Sequence, residues 1–274
     1  MRTVILYAQS PQWRAAALGA EELIASPEFR PLKNEGRTIA GFIDAPGAGT
    51  AFIKRVKIPS WRSGIARRVR GSHAARAIKG AALLKAAGIP HPEPLAAVEI
   101  RDAGALRASF LISAALERAD SLSRFALGPN RIKARDVRRL RRISDAVAAQ
   151  VRRLHESGLY TRDLQETNIM VEDSGAGGFR VYFIDLEDIR RSAIISWERR
   201  MLNLVHLDRS IGRFLNRAAR LNFLYAYLGG RPPRAEARKT VTSVLAMRAR
   251  IDRRKRRRVQ SRVRTAGAAA AGTS

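Results

Sequence analysis

Three polar residues stand where packing alone would not put them. Asp163 follows a helix and a short loop within LHESGLYTRDLQETNIM, Asn168 comes five positions later, and Asp185 closes the apolar run Val181-Tyr182-Phe183-Ile184. Each alone has an ordinary reading as a turn cap, a loop residue or a strand end. Together, Arg-Asp-Leu-x-x-x-Asn followed by a strand and an aspartate has the spacing of a phosphoryl-transfer catalytic loop and its metal-binding carboxylate. The residue types match that chemistry. Phosphoryl transfer needs one carboxylate to orient the attacking hydroxyl and accept its proton, and oxygen ligands for Mg²⁺ that bridge the nucleotide phosphates. Asp163 suits the first task, and Asn168 and Asp185 suit the second.

A cation for the phosphates is expected upstream. The pattern from Pro31 to Lys57 reads as three antiparallel strands, Leu32 to Glu35, Thr38 to Asp44 and Thr50 to Lys57, separated by turn residues. Lys54 on the third strand is the candidate clamp, set against the ordinary reading of a surface lysine on a very basic chain. Gly36, in the first turn, would let backbone approach phosphates, although the full glycine-rich fingerprint is missing. Ser72 caps a helix running through HAARAIKGAALLKAA to Gly88, with Pro90 beyond. This helix holds no acidic residue, so either another carboxylate such as Glu35 holds Lys54 or the site departs from the usual ion pair.

The remaining elements frame these residues. A short helix is predicted around Trp13 to Ile24, and two further strands over Leu95 to Ile100 and Ala108 to Ser113, giving five strands and one helix in a small lobe. Residues Ala114 to Glu117 link it to a second lobe, where adenine could meet backbone. From Asp136 the residues Val137, Leu140, Ile143, Val147, Val151 and Leu154 form one apolar helical stripe under a basic face. His155 at its end reads as a packing or hydrogen-bonding residue, since it precedes the catalytic loop. Helices follow over Trp197 to Phe214, Ala218 to Leu228 and from Arg234 into RARIDRRKRRRVQSRVR, and TAGAAAAGTS is expected to be disordered.

Composition narrows the partners. The net charge of +28 draws the chain to polyanions: nucleic acid, an anionic membrane or a phosphorylated substrate. No aromatic falls within residues 248 to 264 to stack on bases, which argues against sequence reading of nucleic acid. With no cysteine there are no disulfides or thiolate metal sites, which fits a reducing cytosol. No stretch is apolar for long enough to span a bilayer, so a soluble or peripheral protein is expected.

The segments LHESGLYTRDLQETNIM and VYFIDLEDIRR, with AFIKRVK and GIPHPEPLA upstream and LNLVHLDRSIG and LNFLYAYLGG downstream, resemble the lipopolysaccharide kinase family of Kdo and heptose inner-core sugar kinases. The resemblance spans about residues 30 to 230. It implies an α+β, protein-kinase-like bilobal fold, with a small antiparallel β lobe carrying one helix and a larger helical lobe. It implies ATP with Mg²⁺, a core sugar hydroxyl as acceptor, Asp163 as base, Asn168 and Asp185 as metal ligands, and Lys54 as phosphate clamp. Two departures from the family pattern stand out: Thr161 in place of a histidine before Arg-Asp, and the missing helix glutamate. The expected division is residues 1–30 as an extension, 31–116 as N-lobe, 117–247 as C-lobe, and 248–274 as basic helix and tail. The expected setting is the cytoplasmic face of the inner membrane, with the basic surface meeting anionic lipid and glycolipid. The competing readings are an atypical protein kinase and a catalytically silent kinase-like binding module.

Overall fold

The computed structural model describes residues 1–58, 71–127, 136–175 and 177–271. Among these lie eight α-helices and a six-stranded antiparallel sheet. The sheet contains one strand more than the sequence predicts. β1 (Arg2–Ala8) pairs with β5 (Pro94–Asp102) and occupies an edge. From Val4 to Ala8 its VILYA run is continuously apolar instead of alternating, so the period-2 signal of a half-buried strand is absent. Strands β2 (Arg30–Glu35), β3 (Thr38–Ala45), β4 (Gly49–Lys57) and β6 (Ala105–Ala114) complete the order β1-β5-β6-β4-β3-β2.

The predicted helix over Trp13 to Ile24 is two helices, α1 (Pro11–Leu18) and α2 (Ala20–Ala25), broken at Gly19. Ser10 starts α1 by accepting a hydrogen bond from Trp13 N–H at 3.3 Å, with proline in the first turn where its missing N–H costs nothing. Trp13 and Ala17 then pack with Ile53, Phe110 and Ile112 of the sheet. Each of these large side chains contributes roughly 2 kcal/mol of burial free energy. Because β4 alternates, burying Ile53 on this face turns Lys54 to the other.

α3 (His73–Ala86) begins at Ser72, whose hydroxyl accepts from Ala75 N–H at 3.0 Å. Its buried positions are mostly small: Ala74, Ala77, Gly80 and Ala81, then Leu84. That lets it lie close to the 3₁₀ turn Leu186–Asp188; a Cβ built on Gly80 would overlap the carbonyl oxygen of Leu186.

The second lobe comprises β7 (Ala119–Ser121), α4 (Leu122–Leu127), α5 (Val137–Glu156), β8 (Leu159–Thr161), β9 (Ile169–Asp173), β10 (Phe179–Phe183), β11 (Ile189–Arg191), α6 (Trp197–Ile211), α7 (Arg217–Leu228) and α8 (Arg234–Ala271). Two small sheets, β10-β9-β7 and β11-β8, bracket the segment from 162 to 168. The α5 stripe supplies Ile143, Val147, Val151 and Leu154 to the core against Leu164, Ile169 and Leu204. Val137, the first residue of that stripe, is exposed, because the first turn reaches past the core. α8 continues to Ala271, where the sequence was expected to be disordered from Thr265; its alanine run has the highest intrinsic helix propensity. Residues 272–274 of that tail lie outside the described residues. Helices α4 to α8 line a cavity of about 1080 Å³ whose walls include Leu140, Val147, Leu204, Leu224 and Val244. Among the described residues no helix is long and apolar enough to cross a membrane.

Candidate active site

The loop carrying Asp163 hangs from β8 and is tied by its own backbone. Asp163 N–H donates to Thr161 Oγ1 at 3.2 Å, and Asn168 Nδ2 donates to the Asp163 carbonyl at 3.0 Å across the 3₁₀ turn Glu166–Asn168. Gln165 Nε2 contacts Asp163 Oδ1. Thr161, standing where the resemblance implies a histidine, therefore places a hydroxyl where it caps the Asp163 loop.

Beneath the loop runs a buried polar chain. Asn203 Nδ2 donates to the Thr161 carbonyl at 2.8 Å, His155 Nε2 lies 3.0 Å from Asn203 Oδ1, and Tyr227 Oη lies 2.8 Å from His155 Nδ1. The donors follow by elimination. Because Asn203 spends its amide N–H on Thr161, its oxygen must accept from His155 Nε2–H, and His155 Nδ1 must accept from Tyr227 O–H. Burial lowers the His155 pKa to about 4; its bond to Asn203 opposes this and the Arg200 charge reinforces it, so the ring is neutral. His155 is thus a hydrogen-bonding residue below the loop, as its place before the loop led us to expect.

Asp185 reaches the same place from the strand side. β10 pairs with β9 with Phe183 opposite Ile169, and Ile184 N–H donates to the Asn168 carbonyl at 3.2 Å, so Asn168 and Asp185 are neighbours. Lys54 Nζ crosses from β4 to lie 3.4 Å from Asp185 Oδ1 and 3.4 Å from Glu187 Oε2. Glu35 is not the second carboxylate: it pairs with Lys33 at 3.6 Å, and its side chain is 79% exposed at the end of β2. The structure therefore links Asp163, Asn168, Asp185 and Lys54. Gly36 sits apart in the exposed β2–β3 turn at φ 54°, with nothing within 4 Å of where a Cβ would be.

The electrostatics divide the two carboxylates. Burial pulls the Lys54 pKa down, but Glu187 and Asp185 outweigh it and leave the ammonium raised. Burial would raise Glu187 as well, yet its bonds to His73 and Lys54 prevail and hold it at about 2. Asp185 remains above its ordinary value, because burial exceeds what the shared lysine supplies. Two carboxylates compete for one ammonium, and Asp185 is left short of positive charge.

Several functional candidates escaped the sequence reading. Glu187 sits among other acids in Asp185-Leu186-Glu187-Asp188, and His73 directly follows the capping Ser72, so neither stands out in the sequence. Asn203 did carry a signal: it is a lone amide on the apolar face of LNLVHL. His206, on the same helix, is held low by burial against the opposing charge of Asp163. Among the described residues no three His, Cys, Asp or Glu side chains gather as a self-sufficient metal cage. The available donors are the Asp185 carboxylate and the Asn168 amide oxygen, whose nitrogen is already committed. Two hard oxygens beside an under-compensated buried charge fit Mg²⁺ completed by nucleotide phosphates and water.

Comparison with known proteins gives two findings. Residues 65–227 match the sequence model of the lipopolysaccharide kinase (Kdo/WaaP) family. A solved structure described as "WaaP in complex with acyl carrier protein" superposes with a TM-score of 0.64 at 22% identity, over 93% of this chain and 99% of that one. No curated protein matches this sequence.

Proposed function

Since this chain belongs to the lipopolysaccharide kinase (Kdo/WaaP) family, and so is a kinase of lipopolysaccharide core sugar hydroxyls, we propose that ATP is the donor and that Asp163, Asn168, Asp185 and Lys54 form its transfer site. The observation that carries this reading is the linkage of those four residues from opposite lobes by Lys54 across to Asp185. Asp163 orients the sugar hydroxyl. As that oxygen bonds to the γ-phosphorus and the bond to the β–γ bridging oxygen breaks, the hydroxyl proton passes to the Asp163 carboxylate and ADP departs. Lys54 holds the phosphates in line, and the Gly36 turn covers them. Bound Mg²⁺, held by Asn168 and Asp185, would neutralise charge on the phosphates. Residues 31–116 then form the nucleotide clamp and 117–247 the catalytic lobe.

We further propose that the enzyme works at the cytoplasmic face of the inner membrane. Ile194 and Trp197 are 82% and 46% exposed beside the exposed Arg191, an apolar pair with basic flanks suited to an anionic lipid surface. The structural relative's partner is an acyl carrier protein, and the apolar cavity between α4 and α8 suits an acyl chain; mass spectrometry of the purified protein would detect one.

The test is transfer from labelled ATP to core glycolipid presented in anionic and in neutral vesicles. Wild type is expected to favour anionic vesicles at low salt, and Asp163→Asn to abolish transfer while keeping the wild-type unfolding curve. Full transfer by Asp163→Asn would remove Asp163 from the base role. Indifference to vesicle charge would remove the lipid surface.

A further inference from the structure

A lysine that clamps phosphates needs a carboxylate to hold its flexible stem in one pose, and α3 offers none. Glu187 fills that place from the other lobe. Its Oε2 lies 3.4 Å from Lys54 Nζ and its Oε1 lies 2.7 Å from His73 Nδ1, so one carboxylate joins β4 to the first turn of α3. A carboxylate only accepts, so His73 Nδ1 carries the proton. Arg76 Nη2, 3.2 Å from that same nitrogen, therefore does not donate to it, and Arg76 Nη1 donates instead to the Gly71 carbonyl at 2.9 Å. The Glu187 and His73 side chains are only 12% and 21% exposed, which sets the pair apart from a solvated surface bridge.

A second observation fixes the helix that carries His73. Gly80 lies seven residues further along and hence on the same face. A side chain there would overlap the Leu186 carbonyl and would come within 3.3 Å of Ile189 Cβ. α3 thus meets the turn Leu186–Asp188 at two points, a polar one at His73 and a bare backbone one at Gly80. Contacts two helical turns apart determine both the height and the rotation of the helix.

We propose that Glu187 is the residue that positions Lys54 for the nucleotide phosphates, and that His73, on a helix seated through Gly80, holds Glu187 in place. The inference rests on Lys54 being the phosphate clamp. It means that the clamp is assembled before nucleotide arrives, and that displacing α3 disarms it by withdrawing His73 from Glu187.

The full chain carrying Lys54→Met, Glu187→Gln, Glu187→Asp, His73→Ala or His73→Gln is assayed for transfer to core glycolipid under MgATP titration. The nucleotide-free proteins are followed by amide hydrogen exchange over residues 73–86. Lys54→Met is expected to abolish transfer. Glu187→Gln should lower kcat/KM about a hundredfold, the scale of a misplaced catalytic group, with a raised KM for ATP. Glu187→Asp, too short to reach both partners, should be intermediate. His73→Ala should raise KM for ATP and speed exchange at the start of α3, and His73→Gln, which keeps an N–H for Glu187, should recover most of both. Unchanged kcat/KM in Glu187→Gln beside an inactive Lys54→Met overturns the positioning role while leaving the clamp intact. A Glu187→Gln defect repaired by excess Mg²⁺ assigns Glu187 to metal and overturns it as well. Retained transfer in Lys54→Met removes the clamp reading itself, and unchanged exchange in His73→Ala removes the seat of α3.

Discussion

Asp163 rests on neutral hydrogen bonds that water does not reach, whereas Lys54 rests on charges that water partly does. Under the Asp163 loop, Tyr227, His155 and Asn203 pass single hydrogen bonds up to the Thr161 carbonyl. Around the lysine, Glu187, Asp185 and His73 share a half-buried cluster in which the charges do not fully balance. A buried neutral chain makes its members costly to remove, because each leaves a donor or acceptor with no alternative partner. In the charge cluster, whose side chains are 12–29% exposed, losing one member leaves the others under-compensated but within reach of some water, so the loss falls first on the geometry of the lysine. The Asp163 loop is therefore built for stability and the Lys54 cluster for alignment.

The strongest way to break this contrast is Asn203→Ala. It strands the Thr161 carbonyl and the His155 Nε2–H, two buried groups whose combined desolvation cost is about 4 kcal/mol. Urea unfolding should show that loss, and transfer activity should fall with it because β8 no longer fixes Asp163. A destabilisation below about 1 kcal/mol would mean that the chain is ornamental, since that is the value of one ordinary hydrogen bond.

A smaller effect comes from pH. The folded pKa of His155, about 4, lies below the ordinary 6.5, so the native state favours the neutral ring. Its contribution is complete above pH 6.5 and is lost as pH falls toward 4, roughly 3 kcal/mol in all. Arg200 adds to the lowering, and His206, also held low, titrates in the same direction. The useful measurement is therefore a difference: urea midpoints of wild type and His155→Gln at pH 7 and pH 5. The variant should lose less between the two. Parallel losses would place the acid sensitivity elsewhere. Glu187 does not confuse the result, because its own stabilisation disappears only between pH 4.5 and about 2.

The two supports also differ in how well the sequence displays them. Asp163, Asn168 and Asp185 could be read because one chain segment sets their spacing, and the β9–β10 pairing that joins them is local. The α5 stripe could be read because Ile143, Val147 and Val151 repeat at helical intervals. The lysine cluster could not, because His73 and Glu187 are 114 residues apart and meet only through the packing of α3 on the turn after Asp185. Glu35 looked eligible because it lies near Lys54 in sequence, but the hairpin carries it to the exposed end of β2. Gly80 could not be read either: a glycine inside a helix is a liability until the carbonyl it accommodates is known.

The smallest expected effect tests whether the two supports are the whole account. Gly36 belongs to neither; it turns β2 into β3 at φ 54° with open space around it. In Gly36→Ala the new methyl meets no atom, so the only cost is left-handed backbone, about 1 kcal/mol. Neither the hydrogen-bond chain nor the charge cluster is touched, so kcat should hold. If the turn covers the phosphates, the stiffer loop should raise KM for ATP modestly. A fall in kcat at unchanged KM would mean that the turn shapes the transition state instead of covering the nucleotide. The site would then have a third support, contributed by bare backbone.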